Sequence, residues 1–189
     1  AILALGHLDT PGAIPALAAL LTPAGTPESA AAREALRVSR AEGADGILVK
    51  EAAAAGPAQT AQLIELLTAR MSREALPLAA KALNAQSDPA VRLASWQAFA
   101  QLGGADEFRA SLAALSGAAE GDEKAAAVKA LGAIAKYNSD AAVPVLLEAI
   151  PSATPATYPA LLQTLGRAGT PAALGAVVAA LGNSDATVQ

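Results

Sequence analysis

The feature that most limits the fold of this chain is a spacing. Large apolar residues recur as Leu5, Leu36, Leu67, Phe99, Leu131 and Leu165, at steps of about 31, 31, 32, 32 and 34 residues. A sustained period in this range marks stacked repeats. Half a period away runs a second series, Ile14, Leu48, Leu76, Phe108, Val143 and Leu174. Two phased series require two elements per repeat, each with its own buried stripe. The spacing predicts six pairs, over residues 1–22, 27–55, 57–85, 88–116, 120–150 and 154–182.

Composition decides what the elements are. Roughly 54 of the 189 residues are alanine, so helix propensity is high along the whole chain. β-branched residues are too few and scattered for a sheet. Small side chains also let helices approach closely, which suits layered stacking better than one thick core. The expectation is an all-α fold in which each pair covers the apolar stripe of the next.

The fourth pair is the sharpest. Asp88 is suited to accept the orphan amide protons of a first turn, and Pro89 stands where its missing N–H costs nothing. Val91, Ser95, Ala98, Phe99 and Leu102 then fall on one helical face, and Gly103-Gly104 is the expected stop. A second helix is predicted from about Ala105, with Phe108, Ser111, Leu112 and Leu115 inward. The same i, i+3, i+4, i+7 stripe returns as Ile14-Leu17-Ala18-Leu21, Leu76-Ala79-Ala80-Leu83, Val143-Leu146-Leu147-Ile150 and Leu174-Val177-Val178-Leu181. Pro15, Pro77 and Pro144 each follow a second-series residue and are expected within first turns. Gly43 and Gly46 are expected to interrupt the second pair, and residues 116–121 read as a loop.

These residues resemble the HEAT-repeat proteins, in their short bacterial, armadillo-like form. The resemblance rests on Asp88-Pro89-Ala90-Val91-Arg92, on Ala130-Leu131-Gly132, and on prolines early in the second helices, with Thr154-Pro155 and Thr157 as a diluted copy. It covers essentially the whole chain and implies a right-handed α-solenoid of about six helical hairpins, read as one segment over 1–189. Asp185-Ala186-Thr187-Val188 repeats the phase of Asp88-Pro89-Ala90-Val91, so a further repeat is expected to begin at 185, in a piece of a longer protein.

Chemistry is sparse by comparison. Cysteine is absent, which removes disulfides, thiol nucleophiles and the usual zinc sites while leaving the compartment open. There is one histidine, His7, and a lone histidine beside a helix end reads as solvated rather than as a ligand. Deoxyhypusine hydroxylases, which resemble this family, would require paired His-Glu motifs; the chain has none. Glu120, Asp122 and Glu123, like Asp106 and Glu107, stand at helix starts, where negative charge complements the macrodipole. Ser95 and Ser111 sit on inner stripes, where Oγ can bond a preceding carbonyl. No phosphate-cradling loop or nucleophile motif is present, and no cofactor is expected.

The formal net charge is only −4, so bulk electrostatics do not favour a nucleic-acid partner. Arg33, Arg37 and Arg40 share one helical face, but on a first helix, which in such solenoids is convex, and they read as a solvated row. No apolar run reaches membrane-spanning length. The resemblance instead implies a concave face lined by second helices, with Lys50, Glu51, Leu78, Lys81, Arg109, Val145 and Glu148 as candidate protein-binding positions. Ala16, Ala19, Ala176 and Ala179 leave that face bare towards the ends. Trp96 reads as packing between layers. The functional expectation is a non-catalytic protein–protein interaction or scaffold module, bound by another protein or by other domains of its own chain. Two alternatives stand beside it. One is a HEAT-like phycobilin lyase, for which aromatic residues are scarce; the other is a spacer or docking arm for a catalytic or haem-carrying domain.

Overall fold

The structure, a computed structural model, describes residues 2–84 and 87–181. All regular structure among the described residues is helical. The α-helices follow one another as α1 (Ile2–Gly6) and α2 (Ala13–Ala19), α3 (Pro27–Val38) and α4 (Ala44–Ala54), α5 (Pro57–Ala69) and α6 (Ala75–Ala82). Next come α7 (Pro89–Leu102) and α8 (Ala105–Ala114), α9 (Asp122–Tyr137) and α10 (Ser139–Ala149), α11 (Tyr158–Ala168) and α12 (Pro171–Leu181). Short 3-10 turns, Leu115–Gly117 and Ile150–Ser152, prolong α8 and α10. The chain divides into two compact units, Ala1–Ala98 and Phe99–Gln189.

Within the first unit α3 packs on α1 and α5 on α3, while α4 packs on α2 and α6 on α4. The second unit follows the same rule: α11 lies on α9, and α10 lies between α8 and α12. Alternate helices are thus neighbours, and successive helices close the hairpins. Residues of the first series supply the core of this packing: Leu36, Leu67, Phe99, Leu131 and Leu165 are fully buried. Leu5 is half-buried. In the second series Ile14, Leu48, Leu76, Phe108 and Val143 are all 5 % exposed or less. Leu174 departs from both series at 63 % exposed.

In α2 and the turn after it the whole expected stripe Ile14-Leu17-Ala18-Leu21 is buried, whereas in α6, α10 and α12 the inward arc differs from the expected one. In those three helices Ala75, Ala142 and Ala173, each one residue before the series position, are buried, whereas Ala80, Leu147 and Val178, four residues after it, are exposed. At ~100° per residue the arc is turned by about 50° towards the preceding residue. Alanine permits this: with no side chain beyond Cβ at the preceding position, the neighbouring helix comes in on that side. In α12 the turn puts Ala173 and Ala180 inward and Leu174 and Val178 outward.

Helix ends follow local chemistry, with four corrections. α7 begins at Pro89, and Asp88 Oδ1 accepts from the Ala90 amide at 2.9 Å. Its stop does not use left-handed glycine, because Gly104 is extended at φ −125° and donates its N–H to Glu107 Oε2 at 2.8 Å. Gly103 is required for space instead: a β-carbon there would lie 2.8 Å from Ile134 Cδ1. Pro144 lies inside α10 rather than in its first turn, because α10 starts at Ser139, immediately after the Asn138 that ends α9. α11 begins at Tyr158-Pro159, since Thr154–Thr157 form a turn closed by the Thr154 amide on Thr157 Oγ1 at 3.1 Å. α4 runs through Gly46; only Gly43 breaks the chain, at φ +69°. The expected restart at Asp185-Ala186-Thr187-Val188, and the Leu181 side chain, lie outside the described residues.

One polar clasp ties successive pairs in the first unit. Arg70, just after α5, donates Nε to Asp45 Oδ1 at 2.6 Å and Nη1 to the carbonyls of Leu36 and, at 2.9 Å, Ser39. It closes the C-terminal end of α3, where carbonyls have no helical partner, and joins it to the first turn of α4. The Arg40 amide donates to Asp9 Oδ1 at 2.7 Å, linking the first two pairs.

Candidate functional site

Among the described residues the features that could carry chemistry are few, and most have structural partners. Glu123 is 9 % exposed and accepts from the Ala119 amide at 3.1 Å, while Glu120 pairs with Lys124 at 2.9 Å. With Glu107 on the Gly104 amide, these carboxylates close helix starts, as charge at a positive helix pole should. Ser95 Oγ donates to the Val91 carbonyl at 2.7 Å and Ser111 Oγ to that of Glu107 at 2.9 Å. Thr68 and Thr164 make the same backward bond, to Ile64 and Ala160. No group of three potential metal ligands occurs among the described residues, and none of their helices is long and apolar enough to cross a membrane.

α3 ends at Val38, so Arg40 falls outside the expected row, and the two arginines on the helix, Arg33 and Arg37, meet carboxylates. Arg33 Nη1 stands 3.3 Å from Glu65 and its Nη2 donates to Gln62 at 3.4 Å. Arg37 grips both carboxylate oxygens of Glu34 at 2.7 Å. That bond holds the Glu34 carboxyl below its ordinary value and raises the Arg37 guanidinium. Trp96, the largest side chain of the first unit, is 1 % exposed.

Of the candidate binding residues, Arg109, Val145 and Glu148 come together. They line an open cleft of about 460 Å³ in the second unit, with Leu112, Leu115 and Leu161 among its apolar residues. Arg109 on α8 faces Glu148 on α10, Nη1 to Oε2 4.0 Å. Both side chains are almost three-quarters exposed, so the pair is loose and each group is available to a ligand. Leu115 and Leu161 are buried and Leu112 and Val145 half-buried, giving an apolar floor beneath a charged rim. Ser116, Ser152, Thr154 and Thr157 complete the lining. Ser116 and Ser152 donate to the carbonyls of Ala113 and Ala149 at 3.3 and 3.1 Å, so the cleft also receives the C-terminal ends of α8 and α10.

The other four candidates belong to the first unit. Lys50 is exposed and Glu51 half-buried on α4; Leu78 is half-buried and Lys81 exposed on α6. α4 and α6 are in contact, which places these residues on neighbouring helices. The cleft residues outside the expected set are Leu112, Leu115, Leu161, three alanines and the four hydroxyls. Leu112, expected to face inward, is half-buried at the edge of the α8 stripe, whose Phe108, Ser111 and Leu115 are buried, and it lines the cleft. The hydroxyls come from the turns after α8 and α10, for which Ser116-Gly117 and Pro151-Ser152 are the local signals. No protein-family model matches this chain, and no curated protein matches it either.

Proposed function

We propose that the chain is a run of HEAT-type hairpins stacked as a right-handed solenoid, acting as a non-catalytic module that binds a segment of another protein. The order of packing supports the repeat reading, since alternate helices are neighbours in each unit and stacked repeats contact only adjacent repeats. The observation that carries the binding reading is the cleft between α8 and α10. Its apolar floor can take the side chains of an extended or helical segment, and the exposed Arg109 and Glu148 can orient that segment by charge. Its volume, about 460 Å³, is enough for a few side chains. Lys50, Glu51, Leu78 and Lys81 offer a comparable mixture of charge and apolar surface in the first unit.

A random peptide library displayed on phage, panned on the purified chain, tests this. Enriched peptides should lose at least about tenfold in affinity, or 1.4 kcal/mol, on Val145→Asp or Arg109→Glu, with the helical circular dichroism unchanged. Peptides indifferent to both substitutions would put binding elsewhere and defeat the cleft assignment. A library that yields no binder leaves the spacer role as the better reading.

A further inference from the structure

The hydroxyls that line the cleft between α8 and α10 have their protons committed. Ser116 Oγ donates to the Ala113 carbonyl at 3.3 Å, and Ser152 Oγ to that of Ala149 at 3.1 Å. Thr157 Oγ1 donates to the Thr154 carbonyl at 3.3 Å and accepts from the Thr154 amide at 3.1 Å. With that proton committed, Thr154 Oγ1 is the donor across the 3.1 Å contact between the two threonine hydroxyls. A hydroxyl has one proton and two lone pairs, so Ser116, Ser152 and Thr154 keep oxygen lone pairs to offer. This end of the cleft can accept hydrogen bonds, and none of its four hydroxyls has a proton to give.

The backbone gives the same end a negative sign. α8 and α10, with the 3-10 turns that prolong them, finish here, and the last carbonyls of a helix carry partial negative charge. A basic side chain in the last turn complements that pole. α3, α6, α9 and α11 have one, as Arg37, Lys81, Lys136 and Arg167. α8 and α10 have none, and neither do their 3-10 turns. Glu148, exposed and one helical turn before Ser152, adds a full negative charge. Arg109 is farther from this end, since it stands about two turns, or about 10 Å along the axis, before Ser116. Its tie to Glu148, at 4.0 Å, is loose enough to open.

We propose that the protein segment bound in this cleft seats a lysine or arginine at the hydroxyl-lined end, held by Glu148 and by the hydroxyl oxygens there. The inference rests on the reading of the cleft as a site for a protein segment. A basic head group matches because it brings several donors and no acceptor. A carboxylate or phosphate would meet two negative helix poles, Glu148 and hydroxyls with nothing to donate. The aliphatic stem of the basic residue and its apolar neighbours lie on Leu112, Val145 and Leu161. An acidic side chain of the same segment takes Arg109, released from Glu148. The cleft thereby sets the order of charge along its partner, acid towards the body of α8 and base towards the turns.

Two displayed peptide libraries separate this inference from the reading beneath it, one complete and one encoded without lysine and arginine. Both are panned on the 189-residue chain and counter-screened on Val145→Asp. Binders that lose affinity on Val145→Asp occupy the cleft. These should come from the complete library, with a basic residue at a constant distance from apolar ones, and not from the depleted library. Glu148→Gln should weaken such peptides about tenfold. Glu148→Lys should abolish their binding, and exchanging the basic residue of the peptide for glutamate should restore it. Glu148 is exposed, so the fold should persist in both variants, which far-ultraviolet circular dichroism checks. Cleft binders of equal affinity from the depleted library overturn the assignment of a basic residue and leave the cleft reading standing. Basic peptides indifferent to both Glu148 substitutions do the same. Binders indifferent to Val145→Asp, or no binder from either library, defeat the cleft reading and this inference with it.

Discussion

Replacing Arg70 with methionine keeps the aliphatic stem and removes the guanidinium, which isolates the clasp between α5, α3 and α4. Three strong hydrogen bonds disappear, to Asp45 Oδ1 and to the carbonyls of Leu36 and Ser39. Leu36 and Ser39 are buried, with Ser39 at 5 % exposure, so solvent cannot freely replace the lost donor at their carbonyls. Each carbonyl left unsatisfied costs about 1–3 kcal/mol. The ion pair with Asp45 adds to this, since its side chains are only 13 % and 28 % exposed. Water entering the space left by the guanidinium offsets part of the sum, and the net destabilisation should be about 3 kcal/mol. Arg70→Lys, with one compact donor in place of a fork, should cost about half as much. Asp45→Asn leaves the carbonyl bonds intact and should cost about 1 kcal/mol. Native-state hydrogen exchange is the suitable assay because it reads local opening without requiring the chain to unfold in one step. The probe is the Ser39 amide, bonded to the Ala35 carbonyl at 3.1 Å. If Arg70→Met changes protection by less than about 0.5 kcal/mol, the clasp is ornamental. If Asp45→Asn costs as much as Arg70→Met, the energy lies in the ion pair and the carbonyl argument is wrong.

Three glycines inside helices, Gly6 against Ala35 of α3, Gly132 against Arg167 of α11 and Gly166 in open space, give a graded test by thermal unfolding. Gly6→Ala must push α3 backbone away and should destabilise by about 1–3 kcal/mol. Gly132→Ala meets only a flexible arginine and should cost less, while Gly166→Ala, in open space within α11, should stabilise the isolated chain by up to about 1 kcal/mol through helix propensity. Removing the α7 cap with Asp88→Ala should cost about 1 kcal/mol, measured by urea denaturation; Asp88→Asn should recover most of it. Trp96→Ala, which empties a buried site, should cost about 3–5 kcal/mol in the same assay. For Glu34, whose carboxyl is held low by Arg37, the contribution is present above its unfolded-state value and is lost as pH falls through the lower folded value. Both groups are solvent-exposed, so the check is an NMR titration: the Glu34 midpoint should rise in Arg37→Ala, and an unchanged midpoint would show that the bond does not persist in solution.

What was legible in the sequence is what repeats. Leu36, Leu67, Phe99, Leu131 and Leu165 sit at the one position where every copy must bury a large side chain, so their spacing alone found the core. The α7 boundaries were legible because Asp88-Pro89 and Gly103-Gly104 act within a few residues of themselves. The rotation of α6, α10 and α12 was not, since an i+4 neighbour and an i−1 alanine are equally apolar in sequence. Only the adjacent layer decides which is inward. Ala173 in place of Leu174 is the extreme case, where the smaller residue is 1 % exposed and the larger 63 %.

The cleft marks the other limit. Arg109 and Glu148 lie more than one period apart, as do the Arg70 guanidinium and the Leu36 carbonyl. Repetition places such residues on the right helices without stating which pairs meet. Arg109, Val145 and Glu148 could be named in advance because their positions project from second helices; the hydroxyl-lined end could not. It depends on 3-10 turns after α8 and α10, which carry each chain segment across the cleft wall before the next pair begins. Those turns lie between the repeated stripes, where packing imposes no residue type. The cleft lining is therefore written in the positions that the buried series leaves free, and Val145→Asp probes one of them without disturbing the residues that hold the helices in place.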